Sequence, residues 1–211
     1  MGVTSNNGTT AQTVMGRPRV TSRATLEARA FELFARKGFE ETTVDDIAAA
    51  AGIGRRTFFR YCASKNDLVW GDFEGHLLKL RRLLEEADPA LPTMEVLRRA
   101  VVEFNRFDPR DVPWHRQRME LILKVPTLQA DATLRYASWR AVIAEFVASR
   151  TGLPPSAMTP RLAGHVLLAA AVAAYEHWLS GDGDAELAEL LDKAIRRVSA
   201  GLSAALQAPG G

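Results

Sequence analysis

The chain has 211 residues, 47% of them hydrophobic, and its formal net charge is +2 at pH 7. This length suits one small domain and one larger helical domain with a substantial core. The single cysteine excludes an internal disulfide, and the most apolar run, 166–174, falls far short of the ~20 residues of a membrane span. With no secretory pattern at the N-terminus, these features predict a cytoplasmic protein without a membrane segment.

The segment 1–20 is predicted to be a disordered tail that ends in a basic arm. Residues 1–15 are rich in Thr, Asn, Ser and Gly, and they have too little apolar surface to order themselves. Arg17 and Arg19 follow, and Arg side chains on a flexible arm can enter the minor groove of DNA. A merely solvated linker explains the same residues.

An amphipathic helix is predicted from Ser22 to Lys37, closed by Gly38. Its apolar residues recur at helical spacing, and they are Leu26, Ala30, Leu33 and Phe34. A three-helix unit needs such a first helix to build its core.

Residues 42–65 are predicted to form a helix-turn-helix. Thr43 can accept the first free amide protons of a helix, and Asp46 stands where the acid of a capping box reaches back. The apolar face of this helix comprises Val44, Ile47, Ala48 and Ala51. Gly52 then suits a left-handed helix end. An ordinary basic surface turn is the alternative interpretation.

The second helix of this unit presents cationic, hydroxyl and aromatic groups, while Phe58 is expected in the core. The outward side chains are Arg55, Arg56, Thr57, Phe59 and Arg60. Arg pairs bidentately with guanine in a major groove, and Thr or an aromatic ring can contact a thymine methyl group or a phosphate. Residues 1–70 hold ten Lys or Arg and seven Asp or Glu, whereas the rest holds seventeen and eighteen. The positive excess therefore lies with the predicted DNA-binding unit.

A second capping pattern, Ser64 to Asp67, is predicted to open one long helix that runs through Leu84. Lys65 would stand beside the N-terminus of that helix, which favours an anion such as a DNA phosphate. A ligand could tilt this connecting helix and so change the separation of two recognition helices, which must stay about 34 Å apart to enter successive major grooves.

From Asp72 onward, Pro and Gly clusters divide the chain into six predicted helices, and no strand-like alternation persists. The fold class is therefore all-α. The helices over 160–180 and 184–207 combine small residues with Leu and Trp, which suits a four-helix interface in a homodimer. The residues assigned to that interface are Leu167, Leu168, Ala171, Tyr175, Trp178, Leu187, Leu191, Ile195 and Val198. A purely intrachain core explains them as well.

Aromatic side chains beside cations are concentrated between the DNA-binding unit and these two helices. The candidate ligand-binding residues are Phe104, Phe107, His115, Arg116, Arg118, Met119, Tyr136, Trp139 and Tyr175. A pocket for an apolar ligand with a polar or anionic head needs that mixture. Ordinary core packing with Arg at the surface is the alternative interpretation.

Residues for catalysis or metal binding are not identified. The four histidines show no metal-ligand spacing, and neither a glycine-rich phosphate loop nor a Gly-x-Ser-x-Gly elbow is present. We therefore expect no enzyme activity, no metal and no cofactor.

Residues 22–70 resemble the DNA-binding domain of TetR-family repressors. The matching stretches are Ala30 to Phe39, Thr42 to Gly52, Thr57 to Tyr61 and Ser64 to Leu68. The resemblance implies DNA contacts from Thr43, Arg55, Arg56, Thr57, Phe59, Arg60, Tyr61 and Lys65. Two positions depart from the family pattern: Gly54 replaces the usual Ser or Thr cap, and Cys62 replaces a buried Phe.

Further stretches resemble the TetR-type regulators that accompany mycofactocin biosynthesis genes in actinobacteria. They include Trp70 to Phe73, Phe104 to Phe107, His115 to Met119 and Ala174 to Leu179. The resemblance implies a DNA-binding domain over 21–68, a ligand-binding and dimerisation domain over 69–207, and a pseudo-palindromic operator. It also implies a repressor of mycofactocin-type redox genes whose inducer is a long-chain acyl-CoA. An interaction adaptor with this fold and no specific operator remains the alternative.

Overall fold

The computed structural model of the protein describes residues 21–181 and 186–207, and these residues form ten helices and no strand. In chain order the helices are α1 (Arg23–Lys37), α2 (Val44–Ala50), α3 (Arg55–Phe58), α4 (Lys65–Trp70), α5 (Phe73–Glu85), α6 (Thr93–Phe104), α7 (Val112–Lys124), α8 (Pro126–Thr151), α9 (Met158–Ser180) and α10 (Leu187–Gln207). The all-α prediction is confirmed. The predicted tail and arm over 1–20, with Arg17 and Arg19, lie outside the described residues.

The first four helices pack around one apolar cluster whose centre is Leu26, Ile47 and Phe58. Ser22 begins α1 by accepting a hydrogen bond from the Thr25 amide at 3.1 Å. The capping box predicted at α2 is present, because Thr43 Oγ1 accepts from the Asp46 amide while the Asp46 carboxylate accepts from the Thr43 amide. The hydrogen bond from the Thr43 amide, together with the one from Lys37, lowers the pKa of Asp46 to about 2.

The recognition helix is shorter than the sequence predicts. α3 ends at Phe58, and the chain continues through Tyr61 in tight turns in which the Arg60 and Tyr61 amides donate to carbonyls three residues back. Gly54 begins α3 without a side-chain cap, as expected for glycine. Buried Cys62 joins the cluster in the place of the usual Phe, and burial raises the pKa of its thiol to about 11.

The predicted long connecting helix is broken at Gly71, which corrects the expectation of one helix from Ser64 to Leu84. Gly71 adopts φ 60° and ψ −145°, a conformation that side chains strongly disfavour. Asp72 then caps α5 by accepting from the Gly75 amide at 3.1 Å. The connection between the two halves is therefore two helices, α4 and α5, that meet at a glycine.

The six helices from α5 to α10 form the second half of the molecule, with α9 packed between α8 and α10. Gly164 lets α9 approach α8 closely, since a Cβ at this position would lie 2.8 Å from the Arg140 carbonyl oxygen. By length and composition α9 could cross a bilayer, yet 44% of its most apolar stretch is buried inside the protein. The packing on both sides assigns α9 to the core of the helical domain.

The boundary predicted at residue 68 falls within α4, and side chains of both halves share a core there. Ile122, Leu128 and Ala132 of the second half belong to the same apolar cluster as α1 to α4. The division into domains therefore remains a prediction.

The residues predicted to pair two copies are packed within one chain. Leu167 and Ile195 lie in the core of the second half, together with the less buried Leu168 and Val198. A neighbouring cluster holds Ala171, Tyr175, Trp178, Leu187 and Leu191. Packing of α10 along α9 thus accounts for these residues within one protomer, and their role in pairing two copies stays a prediction.

We predict that Gly71→Ala destabilises the protein more than Gly38→Ala. Both glycines have positive φ, but a Cβ on Gly71 would lie 2.2 Å from Arg118 Nη1, whereas nothing lies within 4 Å of one on Gly38. The backbone strain alone costs about 1–3 kcal/mol, and displacement of Arg118 adds to it only at Gly71. Urea denaturation of the two variants measures the difference, and equal losses would contradict a close packing of Arg118 on Gly71.

Candidate nucleic-acid surface and ligand cavity

The predicted DNA-contacting side chains surround α3 on the outside of the first half. Exposed members are Thr43, Arg55, Arg56, Phe59 and Arg60, whereas Thr57 and Tyr61 are half-buried. Arg55 pairs with Asp45 at 2.8 Å and lies over the Phe59 ring. Within the described part of the chain, the guanidinium groups of Arg56 and Arg60 make no ion pair. They are therefore available to a phosphate or a base edge.

Lys65 lies at the start of α4, as the sequence predicts, and its side chain extends to the turn between α1 and α2. Its ammonium donates to the carbonyl oxygens of Phe39 at 2.7 Å, Thr42 at 3.1 Å and Glu40 at 3.2 Å. It also lies 4.3 Å from the centre of the Phe39 ring. Because an ammonium has three donors, Lys65 is fully used in holding the turn between α1 and α2.

A cavity of about 420 Å³ lies in the second half where it meets the first, since Glu27 of α1 and Trp70 of α4 complete its wall. Eight of the nine predicted ligand-binding residues line it, namely Phe104, Phe107, His115, Arg118, Met119, Tyr136, Trp139 and Tyr175. Most of its wall is apolar, and its volume lies within the range of small-molecule sites.

Arg116 is the predicted ligand residue that the structure places elsewhere. Its guanidinium donates to the carbonyls of Leu179 at 3.0 Å and Gly181 at 2.8 Å and lies over the Trp178 ring. The physical reason is helical geometry: residues two apart on α7 differ in direction by roughly 200°. Arg116 and Arg118 therefore cannot both face the cavity.

Several cavity residues were not identified from the sequence. They are Glu27, Trp70, Asp72, Phe73, His76, Asn105, Asp111, Ile122, Leu168, Ala171 and Val172. Glu27 belongs to α1, far in sequence from the other lining residues, and Trp70 belongs to α4. Trp114 and Leu123 come from the same aromatic-rich stretch of α7 as the predicted residues, and they line the cavity as well.

A chain of hydrogen bonds crosses one side of the cavity. Asn105 Nδ2 donates to the Val101 carbonyl at 2.7 Å, the Tyr175 hydroxyl lies 2.7 Å from Asn105 Oδ1, and His115 Nε2 lies 2.8 Å from that hydroxyl. Phe107 stacks on the imidazole of His115 with ring centres 3.7 Å apart. Burial lowers the pKa of His115 to about 3 and raises that of Tyr175. Both groups are therefore neutral near pH 7.

The cavity wall also holds an ion-pair chain that connects α7 to α1. Arg118 donates to the Glu27 carboxylate at 3.0 Å, and Arg23 donates to the same carboxylate at 3.2 Å. Arg23 also donates to the carbonyls of Asp67 at 2.8 Å and Gly71 at 2.9 Å. Arg118 and Glu27 are largely buried. Because Arg23 contacts both Glu27 and the Gly71 carbonyl, the chain links the cavity wall to the glycine between α4 and α5.

Arg135 of α8 makes a second connection to α4. Its guanidinium lies 5.0 Å from the Trp70 ring and 3.3 Å from the Asp67 carboxylate. Two helices of the second half, α7 and α8, thus contact α4.

Two other kinds of site are poorly supported. Among the described residues, no three His, Cys, Asp or Glu side chains are close enough together to hold a metal ion. A larger cleft of about 820 Å³ lies between α6 and α10, but charged groups such as Arg98, Glu103 and Asp192 line it. The cavity of about 420 Å³ is the better candidate for an apolar ligand.

Comparison with known proteins gives two family matches and clear relatives. Residues 27–69 match the family described as bacterial regulatory proteins, tetR family, and residues 91–203 match the MftR C-terminal domain. The chain is 46% identical to the mycofactocin biosynthesis transcriptional regulator MftR of Mycobacterium tuberculosis, over 89% of this chain and 94% of that protein.

Solved structures show the same fold. Thermus thermophilus FadR, a TetR-family repressor in complex with lauroyl-CoA, is 25% identical with a TM-score of 0.53, covering 90% of this chain and all of that one. SmeT, the repressor of the Stenotrophomonas maltophilia multidrug efflux pump SmeDEF, is 18% identical with a TM-score of 0.60, covering 86% and 90%. The helix-turn-helix unit, the helical second half and these matches together show that the chain belongs to the TetR family of transcriptional regulators, with a C-terminal domain of the MftR type.

Proposed function

We propose that this protein is a ligand-responsive repressor of mycofactocin-type redox genes. The observation that carries the proposal is the cavity of the second half, whose wall is completed by Glu27 of α1 and Trp70 of α4. A molecule bound there would contact α1 and α4, which share a core with the helix-turn-helix. Because ligand and DNA would bias the same arrangement of helices, each should lower the affinity of the other by the same factor.

The proposed DNA contacts are the exposed groups around α3 together with Thr43 and the half-buried Thr57 and Tyr61. Arg56 and Arg60 supply the free guanidinium groups, and Phe59 and Asp45 hold Arg55 in one direction. Lys65 is left out, because its ammonium is used by three carbonyls. Arg17 and Arg19 remain candidates for minor-groove contacts.

We assign homodimerisation to the outward faces of α8 and α9. Leu134 is 74% exposed and Leu162 is 43% exposed. Exposed alanines flank them at helical spacing, and these are Ala130, Ala137, Ala141, Ala169 and Ala173. Small residues let helices approach closely, so two copies of this pair would form a four-helix interface. A two-fold dimer presents two α3 helices to a pseudo-palindromic operator.

A long-chain acyl-CoA is the proposed effector. The FadR relative is in complex with lauroyl-CoA, and the cavity here is mostly apolar. An acyl chain would occupy the space among Phe104, Met119 and Trp139. Its entry would move α7 relative to α1 and α4, because Arg118 joins these helices, and thereby alter the separation of the recognition helices.

The first experiment is a binding assay of the full-length protein on DNA upstream of its own gene, at fixed salt, with and without lauroyl-CoA. Specific binding that lauroyl-CoA releases supports the proposal. Specific binding that no acyl-CoA affects would overturn the effector assignment. An interaction adaptor predicts no specific binding to any of these sequences.

We predict that Arg56→Ala weakens specific operator binding by about 1–3 kcal/mol if this side chain reads a base. The control is Arg196→Ala on α10, an equally exposed arginine far from α3. Fluorescence anisotropy with specific and scrambled duplexes measures both. Unchanged binding by Arg56→Ala would contradict the proposed docking of α3.

We predict that Leu162→Arg converts the dimer to a monomer and abolishes operator binding, since a charge would be buried at the centre of the proposed interface. Leu78→Arg is the matched control, because Leu78 is 55% exposed on α5, outside that face. Analytical ultracentrifugation gives the oligomeric state. If both variants sediment like the wild type, the interface lies elsewhere.

A further inference from the structure

The hydrogen-bond chain beside the cavity fixes the direction of every proton in it. The Val101 carbonyl can only accept, so the amide nitrogen of Asn105 faces it and Asn105 Oδ1 faces Tyr175. The single hydroxyl proton of Tyr175 is then donated to Asn105 Oδ1. His115 must therefore donate from Nε2 to the oxygen of Tyr175.

This direction determines what His115 offers to a ligand. Since a neutral imidazole carries one N–H, its Nδ1 is left as a bare acceptor. Nδ1 makes no hydrogen bond to a described residue and is not sealed off by neighbouring atoms, and the side chain lines the cavity. Burial keeps the pKa of His115 near 3, with smaller contributions from Arg118 and His76, so the ring stays neutral near pH 7.

The remaining charges of the cavity wall do not favour an anion. Arg118 is the cation among the lining residues, and Glu27 already neutralises it at 3.0 Å. Burial lowers the pKa of His76 as well, so this histidine is not a ready cation. Asp72 and Asp111 add negative charge to the same wall. A free carboxylate in the cavity would meet the acceptor of His115 and no unpaired cation.

We propose that the cavity selects a ligand whose enclosed part is uncharged and places an N–H or O–H donor on Nδ1 of His115. Fatty amides, fatty alcohols and acyl thioesters with an amide in the thiol arm belong to this class, whereas free fatty acids do not. The inference rests on the proposed function in that it takes this cavity as the effector site. It makes His115 a specificity-determining residue, and Tyr175 and Asn105 the residues that set its tautomer.

Isothermal titration of the full-length protein with three ligands of equal chain length tests this directly. Dodecanamide offers a hydrogen-bond donor, methyl dodecanoate offers only acceptors, and dodecanoate is an anion. We expect dodecanamide to bind about 5- to 10-fold more tightly than the ester, which corresponds to one hydrogen bond. Dodecanoate should bind most weakly. Equal or tighter binding of dodecanoate would overturn the inference.

Two variants separate the hydrogen bond from the shape of the cavity. His115→Phe keeps a ring for Phe107 to stack on but removes the acceptor, so it should lose the preference for dodecanamide and bind the ester as before.

Tyr175→Phe frees the tautomer of His115, so it should bind the ester more tightly relative to the amide. Gln117→Leu, on the same helix but outside the cavity lining, is the control. A uniform loss of affinity for all ligands in His115→Phe would contradict the inference.

Operator release distinguishes this inference from the proposed function. If dodecanamide binds with the expected preference but neither it nor lauroyl-CoA releases operator DNA, the selectivity holds and the proposed function fails. If lauroyl-CoA releases the operator while dodecanoate binds as tightly as dodecanamide, the proposed function holds and the selectivity fails. Circular dichroism of each variant confirms its fold before titration.

Discussion

The ion-pair chain from Arg118 through Glu27 to Arg23 is the interaction on which the coupling of the two halves depends. It crosses from the cavity wall on α7 to α1, and from there to the carbonyl of Gly71. Removing one partner of a buried pair leaves an uncompensated charge, which costs about 3–5 kcal/mol. The pair therefore resists separation unless a ligand compensates for it. Gly71, whose positive φ only glycine adopts readily, lies at the end of this chain, where α4 meets α5.

The core beneath the recognition helix and the wall of the proposed ligand cavity form one continuous structure. The cluster around Phe58 supports α3 from beneath and extends to Ile122 and Leu128 of the second half. The cavity lies next to that cluster and shares Trp70 and Ile122 with it. In the proposed mechanism a displacement of α7 would therefore reach the core below the recognition helix through packed side chains. The break at Gly71 means that no continuous helix joins the two halves.

The polar groups of the cavity divide into two sets with different roles. The charged set links helices to one another, because its ion pairs join residues of different helices. In the proposed mechanism the neutral set, from Asn105 through Tyr175 to His115, recognises the ligand, because it ends in one acceptor whose direction is fixed. An apolar cavity with one oriented polar group discriminates between ligands by hydrogen bonding, since an unmatched buried polar group is costly.

Local patterns in the sequence determined the all-α fold, the helix-turn-helix and the caps at Ser22, Thr43 and Ser64, because these features depend on residues a few positions apart. Eight of the cavity residues could also be predicted, since most of these lie in the aromatic-rich region of the second half. Tertiary structure alone decided the rest. Arg116 and Arg118 have the same chemistry, yet their positions on α7 point them to different surroundings. The ammonium of Lys65 donates to carbonyls 23 to 26 residues away in the sequence. The apolar faces of α9 and α10 pack against each other within the protomer, which local pattern could not decide, because burial depends on which elements meet.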